Sequence, residues 1–131
     1  MLEALQPYAV FHWFEEISSI PRGSGSTSAI AEWCVRFAKE RELRFFRDEA
    51  DNVVIFKEAS PGYEGAPTII LQGHLDMVCE KAAGCTKDMS TEGLDLRCDG
   101  EWVWADGTTL GGDDGIAAAM ALAILDDDSL P

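Results

Sequence analysis

The sequence predicts an α/β domain, a layered sheet with helices packed on it. Three observations indicate this class: apolar residues at helical spacing near the amino terminus, a continuous apolar run at Thr68–Gln72, and a glycine-rich turn that leads into an alanine-rich helix. The chain has 131 residues, of which 47% are hydrophobic, so it is long enough to bury a core and amounts to one domain's worth of sequence.

Two helices are predicted before the first strand. The first covers Pro7–Ser19 and places four apolar side chains on one face: Val10, Phe11, Phe14 and Ile17. Pro21–Ser26 breaks this helix. The second helix starts at an N-cap of Ser26 or Thr27 and carries an apolar stripe at the spacing of one helical face: Ile30, Trp33, Cys34, Phe37 and Ala38.

The remaining elements follow in chain order. Leu43–Arg47 and Asn52–Lys57 are predicted strands joined by a polar turn. Thr68–Gln72 has the uninterrupted apolar character of a strand buried on both faces of a largely parallel sheet. Leu94–Trp104 contains an Asp-Gly turn between two segments in which apolar and polar residues alternate, and this pattern predicts a hairpin. Ile116–Leu125 has high helix propensity, and its alanines allow close approach to a sheet.

Composition disfavours several functional classes. The net charge of −14 makes the phosphate backbone of nucleic acid an unfavourable partner. The chain shows neither an apolar stretch long enough to span a membrane nor a basic and then apolar secretion signal at its start. The four cysteines form no Cys-x-x-Cys pair and do not require disulfides: Cys34, Cys79, Cys85 and Cys98. We therefore expect a cytoplasmic protein with no nucleic-acid or membrane partner.

The segment His74-Leu75-Asp76 follows the apolar run, at the strand end where ligands gather in α/β sheets. Residues i and i+2 of an extended chain point the same way, so Asp76 can accept the second ring N–H of a metal-bound His74. The alternative is a structural histidine at a strand end that bonds to a nearby carbonyl. The segment alone leaves both interpretations open.

The turn Gly111–Gly115 carries two adjacent carboxylates, Asp113 and Asp114, at the start of the last helix. Acidic residues at a helix amino terminus cap free N–H groups and complement the helix dipole, which alone would explain them. The flanking glycines allow a different arrangement, in which one aspartate projects into a cleft. An imidazole and a carboxylate brought together in this way could share a metal ion.

Several segments together resemble the aminoacyl-histidine dipeptidases, which are cytosolic co-catalytic zinc peptidases related to the carnosinases. The resemblance is carried by Phe14–Arg22, Gln72–Val78, Asp99–Val103 and Ala105–Gly111, and so covers nearly the whole chain. The chain departs from the family pattern at one place. These dipeptidases commonly have Gly-Ala-Asp-Asn-Gly, where this chain has Gly112-Asp113-Asp114-Gly115. The first aspartate is retained.

The resemblance implies a role for each site residue. His74 would be a terminal ligand of one zinc ion, and Asp113 would bridge two zinc ions, with a cis peptide to Asp114. Asp76 would be the catalytic-site carboxylate that orients His74. Cobalt or manganese would also suit an imidazole and carboxylates. The implied substrates are short peptides with a free amino end, such as Xaa-His dipeptides.

The family also has a general-base glutamate and further zinc ligands that this chain lacks. Residues 1–131 are therefore expected to be the amino-terminal portion of a metallopeptidase catalytic domain, without the lid or dimerisation domain and the remaining catalytic segment. On that interpretation the isolated chain is inactive and holds zinc weakly. The apolar side chains of Thr68–Leu71 and Ile116–Leu125 would then be exposed to solvent. We therefore expect the chain to self-associate as a homo-oligomer.

Two alternatives remain from the sequence. The chain could be a non-catalytic acidic module that binds a divalent cation or a partner protein. It could also be a purely structural α/β domain in which His74 and Asp113 only cap and hydrogen-bond. A Glu-Glu pair within about twenty residues after position 131, following a predicted strand, would distinguish the enzyme from both.

Overall fold

The computed structural model describes residues 1–130, in which three helices and four strands alternate with loops. In chain order the elements are α1 (Tyr8–Ser18), α2 (Ser28–Glu40), β1 (Arg44–Arg47), β2 (Val53–Phe56), β3 (Leu96–Cys98), β4 (Val103–Ala105) and α3 (Gly112–Asp126). The predicted mixture of helices and sheet is confirmed. None of the helices in this part of the chain combines the length and the apolar character needed to cross a membrane.

The core forms mainly where α1 packs against α3. Its buried members come from both helices, from α2, from β3 and from the segment before α1: Leu2, Trp13, Phe14, Ile17, Ile30, Phe37, Leu96, Ala118, Ala119 and Leu122. The alanines of α3 allow α1 to approach closely, because they add little volume between the two helices. α1 begins one residue later than predicted, since Pro7 is its N-cap.

α2 covers the hairpin formed by β1 and β2. The two strands pair antiparallel, with Arg44 opposite Phe56 and Arg47 opposite Val53. Most of the predicted apolar stripe of α2 faces inward, because Ile30, Cys34, Phe37 and Ala38 are buried while Trp33 is partly exposed. Helix on sheet is the layered packing that the sequence predicts.

The prediction for Thr68–Gln72 is wrong within the described chain. This segment forms no strand, and the side chains of Ile69 and Ile70 are 81% and 85% exposed. Both sheets of residues 1–130 are two-stranded and antiparallel, with orders β1-β2 and β3-β4. An apolar run is buried as a central strand only where neighbouring strands accept its backbone hydrogen bonds, and none of the described strands lies beside it.

The predicted second hairpin is confirmed. β3 and β4 pair antiparallel, and Asp99 Oδ1 accepts the backbone N–H groups of Glu101 at 2.9 Å and Trp102 at 2.8 Å across the turn. Gly100 adopts φ +98°, a conformation that side chains disfavour, which explains the Asp-Gly sequence.

α3 extends beyond the predicted Ile116–Leu125 at its amino end. The helix starts at Gly112, although Asp113 and Asp114 have non-helical backbone angles. At the carboxyl end Lys57 Nζ donates to the carbonyl oxygens of Leu125 at 3.0 Å and Asp127 at 2.7 Å. A cation at this end offsets the unfavourable placement of acidic residues against the helix dipole.

Candidate metal centre

His74 and Asp113 meet at the edge of the fold. The Nε2 atom of His74 lies 3.1 Å from Oδ1 of Asp113, although the residues are 39 positions apart in the chain. The His74 side chain is 52% exposed and that of Asp113 is 97% exposed. The pair is therefore open to solvent and to any ligand that approaches this edge.

The other ring nitrogen of His74 faces Asp76. Nδ1 lies 3.0 Å from the Asp76 backbone carbonyl oxygen and 3.1 Å from Asp76 Oδ1. A carbonyl oxygen can only accept a hydrogen bond, so Nδ1 carries the proton and donates it. An ionised carboxylate also only accepts, so Nε2 donates to Asp113 while the ring is protonated, and loss of that proton leaves the Nε2 lone pair available to a cation. The carbonyl contact expected of a structural histidine is thus present, and it leaves Nε2 facing Asp113.

The neighbouring carboxylates of Asp76 and Asp113 raise the pKa of the His74 ring. Asp113 raises the pKa of His74 through its hydrogen bond, partial desolvation opposes the shift, and the carbonyl and charge of Asp76 reinforce it. The pKa of Asp76 is in turn lowered, first by the hydroxyl of Ser24, which donates to Asp76 Oδ2 at 2.5 Å. Asp76 therefore stays ionised and keeps accepting from Nδ1.

Neither aspartate of the turn caps α3. The N-cap is Gly111, in a left-handed conformation with φ +65°, and no side-chain hydrogen bond caps the helix in the described chain. The capping alternative for Asp113 and Asp114 is therefore wrong. The peptide bond between them is cis, as the resemblance implies. Asp114 turns toward Gly73, where a β-carbon would lie 2.9 Å from its Oδ2 atom.

The donor set fits a zinc ion. Metal–ligand bonds of about 2.0–2.2 Å put two ligands of one ion roughly 2.8–3.6 Å apart, for right-angled to tetrahedral geometry. The 3.1 Å between His74 Nε2 and Asp113 Oδ1 falls in that range. Within residues 1–130 no group of three or more histidine, cysteine, aspartate or glutamate side chains is placed to hold an ion. The described chain thus offers a pair of ligands.

A buried arginine connects the two segments that carry the pair. Arg22 is 2% exposed, and it donates from Nη1 to the carbonyl oxygen of Leu75 at 3.0 Å and from Nη2 to that of Gly111 at 2.8 Å. Burial lowers the pKa of its guanidinium, while Cys79 and Asp76 oppose that shift. Sequence reasoning assigns no role to Arg22 or Ser24: Pro21–Ser26 is interpreted as a helix break, and Arg22 otherwise appears only as the last residue of the Phe14–Arg22 motif. The acceptors of Arg22 are backbone carbonyl oxygens, which leave no signal in the side-chain sequence.

Comparison with known proteins identifies relatives with one kind of activity. No protein-family model matches the chain. It is 40% identical over 129 residues to the cytosol non-specific dipeptidase of Escherichia coli (strain K12), an alignment that covers 98% of this chain and 27% of that protein. Its structure matches the crystal structure of the aminoacylhistidine dipeptidase from Vibrio alginolyticus with a TM-score of 0.95 and 38% identity, over 99% of this chain and 26% of the other.

The chain is similar in sequence and in structure to a part of each of these dipeptidases. The resemblance found in the sequence motifs is thereby confirmed, and it extends over nearly all of the chain. The chain spans about a quarter of the length of the relatives that it matches. Both relatives are named as dipeptidases.

Proposed function

We propose that this chain contributes the His74–Asp113 half of a co-catalytic metal centre in a cytoplasmic peptidase that acts on short peptides such as Xaa-His dipeptides. The observation that carries the proposal is the 3.1 Å approach of His74 Nε2 to Asp113 Oδ1. It is supported by the names of the relatives, a cytosol non-specific dipeptidase and an aminoacylhistidine dipeptidase. Residues 1–131 are then the amino-terminal portion of the catalytic domain.

Two zinc ions are the proposed cofactor, with cobalt or manganese as substitutes that the same donor atoms accept. His74 would be a terminal ligand of one ion and Asp113 would be shared by both. When bound, such a pair of ions polarises the scissile carbonyl and lowers the pKa of water toward about 7. The exposed Asp113 carboxylate leaves room for a substrate beside it.

Asp76 has the role of an orienting residue. By accepting the Nδ1–H of His74 it holds the ring in the tautomer whose Nε2 lone pair is free. Its negative charge also increases the basicity of the imidazole, which strengthens a bond from Nε2 to a cation. The carboxylate therefore acts on the reaction through His74.

Within residues 1–130 His74 and Asp113 meet as candidate ligands, but no group of three or more histidine, cysteine, aspartate or glutamate side chains is placed to hold an ion. The resemblance implies that the general-base glutamate is not among these residues. A general base contributes about 10²–10⁴-fold to the rate. We therefore propose that the 131 residues alone bind zinc weakly and do not turn over dipeptides. The competing proposal, a non-catalytic acidic module that binds a cation, needs only the His74–Asp113 pair and no general base.

Calorimetric titration of zinc into the purified chain tests the proposal. We expect weak binding that His74→Ala and Asp113→Ala abolish and that Asp76→Ala weakens about 10–100-fold. His12→Ala is the matched control, because His12 is the other histidine of the chain and stacks on Tyr8 away from Asp113. Equal affinity in His74→Ala and the wild type would reject a metal centre at this position, for the enzyme and the cation module alike.

A further inference from the structure

Arg22 is a buried cation whose donors are taken by carbonyl oxygens. Its two terminal nitrogens bond to Leu75 and Gly111, and its Nε has no hydrogen-bond partner in the described chain. Burying a charge is costly unless its hydrogen bonds are well made, so an arginine at such a position needs a reason beyond filling space. The two terminal nitrogens of its rigid, planar guanidinium form a fork that can hold two hydrogen-bond acceptors at a fixed separation.

The two carbonyls that Arg22 holds belong to the two halves of the candidate centre. Leu75 lies between His74 and Asp76 in the chain, and Gly111 lies two residues before Asp113. The fork therefore joins the loop that carries the imidazole to the turn that carries the carboxylate. Glycine is required in that turn: a β-carbon on Gly111 would lie 2.7 Å from Arg22 Nη2.

The backbone around Arg22 is fixed to the same loop. The carbonyl oxygen of Arg22 accepts the N–H of Met77 at 2.9 Å, and the N–H of Ser24 donates to the carbonyl oxygen of Met77 at 3.1 Å. Gly23 and Met77 form a parallel β-bridge between these bonds. The segment Arg22–Ser24 thus runs alongside the His74 loop, and its own position is set independently of the side-chain contacts.

Ser24 acts on the opposite side of the histidine. Its hydroxyl donates to Asp76 Oδ2 at 2.5 Å, while Asp76 Oδ1 lies 3.1 Å from His74 Nδ1. One carboxylate oxygen is therefore occupied by the serine, and the other is turned to the ring. Since Ser24 is exposed, its replacement removes this contact without opening a cavity.

We propose that Arg22 and Ser24 are positioning residues for the metal centre. Arg22 sets the separation of His74 and Asp113, and Ser24 fixes the Asp76 carboxylate that selects the His74 tautomer. This inference rests on the proposed function for its purpose, but the tautomer can be observed without any metal. Neither residue touches the proposed ions or substrate, so both act through the groups that they hold.

The test uses histidine labelled with ¹⁵N, because the chain has only two histidines and His12 serves as an internal standard. Two-bond ¹H–¹⁵N spectra in alkaline buffer report which ring nitrogen carries the proton. We expect a single Nδ1–H tautomer for His74 in the wild type. Arg22→Lys keeps the cation but loses the fork, and Ser24→Ala loses the hydroxyl; each is expected to give a mixture of tautomers at His74 and an unchanged His12.

Zinc affinity is the second readout on the same variants. We expect Arg22→Lys and Ser24→Ala to weaken zinc binding about 10–100-fold, the range found when groups that orient metal ligands are removed. The controls are Arg36→Lys and Ser26→Ala, which make the same chemical changes at exposed positions outside these contacts. Both controls should retain wild-type spectra and affinity.

The outcomes separate this inference from the proposed function. A folded Arg22→Lys or Ser24→Ala variant with the wild-type His74 tautomer would overturn the positioning role of that residue. If Arg22→Lys does not fold, Arg22→Gln, which removes the charge and keeps an N–H donor, tests the Arg22 role, and Ser24→Ala tests the Ser24 role independently. A wild-type chain that binds no zinc but shows the expected tautomer changes would reject the metal centre and retain the role of both residues in fixing the His74 ring.

Discussion

The imidazole of His74 is held between two carboxylates, with Nδ1 3.1 Å from Asp76 Oδ1 and Nε2 3.1 Å from Asp113 Oδ1. The first contact is local, because the residues are two positions apart and lie in one loop. The second joins the loop to the start of α3. Asp76 thus determines which nitrogen of the ring is free, and the position of α3 determines what that nitrogen faces.

Hydrolysis assays should show that the chain is not a self-sufficient enzyme. With zinc or manganese added, the purified 131 residues are expected to cleave an Xaa-His dipeptide at the background rate, because two ligands leave an ion mostly hydrated and its water near the aqueous pKa of about 9. Turnover that is present in the wild type and disappears in His74→Ala would contradict this expectation.

Gly111→Ala should destabilise the fold more than the same change elsewhere. Alanine at φ +65° costs roughly 1–2 kcal/mol in any context. At Gly111 the β-carbon would also lie 2.7 Å from Arg22 Nη2 and Met77 Sδ, which adds about 1–3 kcal/mol of overpacking.

Gly62→Ala is the matched control for that change, since Gly62 has φ +92° and nothing within 4 Å of the added carbon. Urea unfolding should therefore give a larger loss of the free energy of unfolding for Gly111→Ala than for Gly62→Ala. Equal losses would mean that the contact with Arg22 is easily relieved.

The buried thiol of Cys34 should make stability depend on alkaline pH. Burial raises the pKa of Cys34 from 9.0 to about 12. The unfolded chain then loses this proton near pH 9 while the folded chain keeps it, so the free energy of unfolding falls by about 1.4 kcal/mol per pH unit from there until the folded thiol itself ionises.

Cys34→Ala provides the comparison for this effect. The difference in unfolding free energy between wild type and variant should change across that alkaline window and stay constant below it. In the same preparations a maleimide should label the exposed Cys79 and spare Cys34 until the chain unfolds, since the thiolate is the reactive form. Parallel labelling of both thiols in the folded chain would show that Cys34 is accessible.

The exposed apolar segment Ile69–Leu71 should make the isolated chain self-associate. Its side chains are mostly exposed and none of the described strands pairs with its backbone, which makes it an open edge for a second copy. Light scattering should show a mass that rises with concentration. Ile70→Lys should reduce this rise, whereas Tyr63→Lys, at an exposed position outside the segment, should not.

The spacing of apolar residues predicted most of the helices and strands, because these elements are determined by residues close together in the chain. The apolar faces of the first two helices and the Asp-Gly hairpin follow from spacing over a few residues. The pairing of His74 with Asp76 also follows locally, since the two side chains of an extended segment point the same way. The approach of Asp113 came from motif resemblance, because no local rule brings together residues 39 positions apart.

Two features could not be predicted from residue patterns. The apolar run at Thr68–Gln72 indicates a need for burial, but whether it is buried depends on strands that lie elsewhere in a chain. Arg22 appears in the sequence as an ordinary loop arginine. Its role depends on two carbonyl oxygens, of Leu75 and Gly111, and backbone acceptors leave no signal in the side-chain sequence.

Anomalous scattering from crystals of the chain grown with zinc tests the proposed centre most directly. We expect a peak at the zinc absorption edge within about 2.0–2.2 Å of His74 Nε2 and of an Asp113 carboxylate oxygen, with Asp76 still bonded to Nδ1. The peak should vanish in Asp113→Ala crystals. Zinc bound at His12 or at the cysteines, with none between His74 and Asp113, would contradict the proposal.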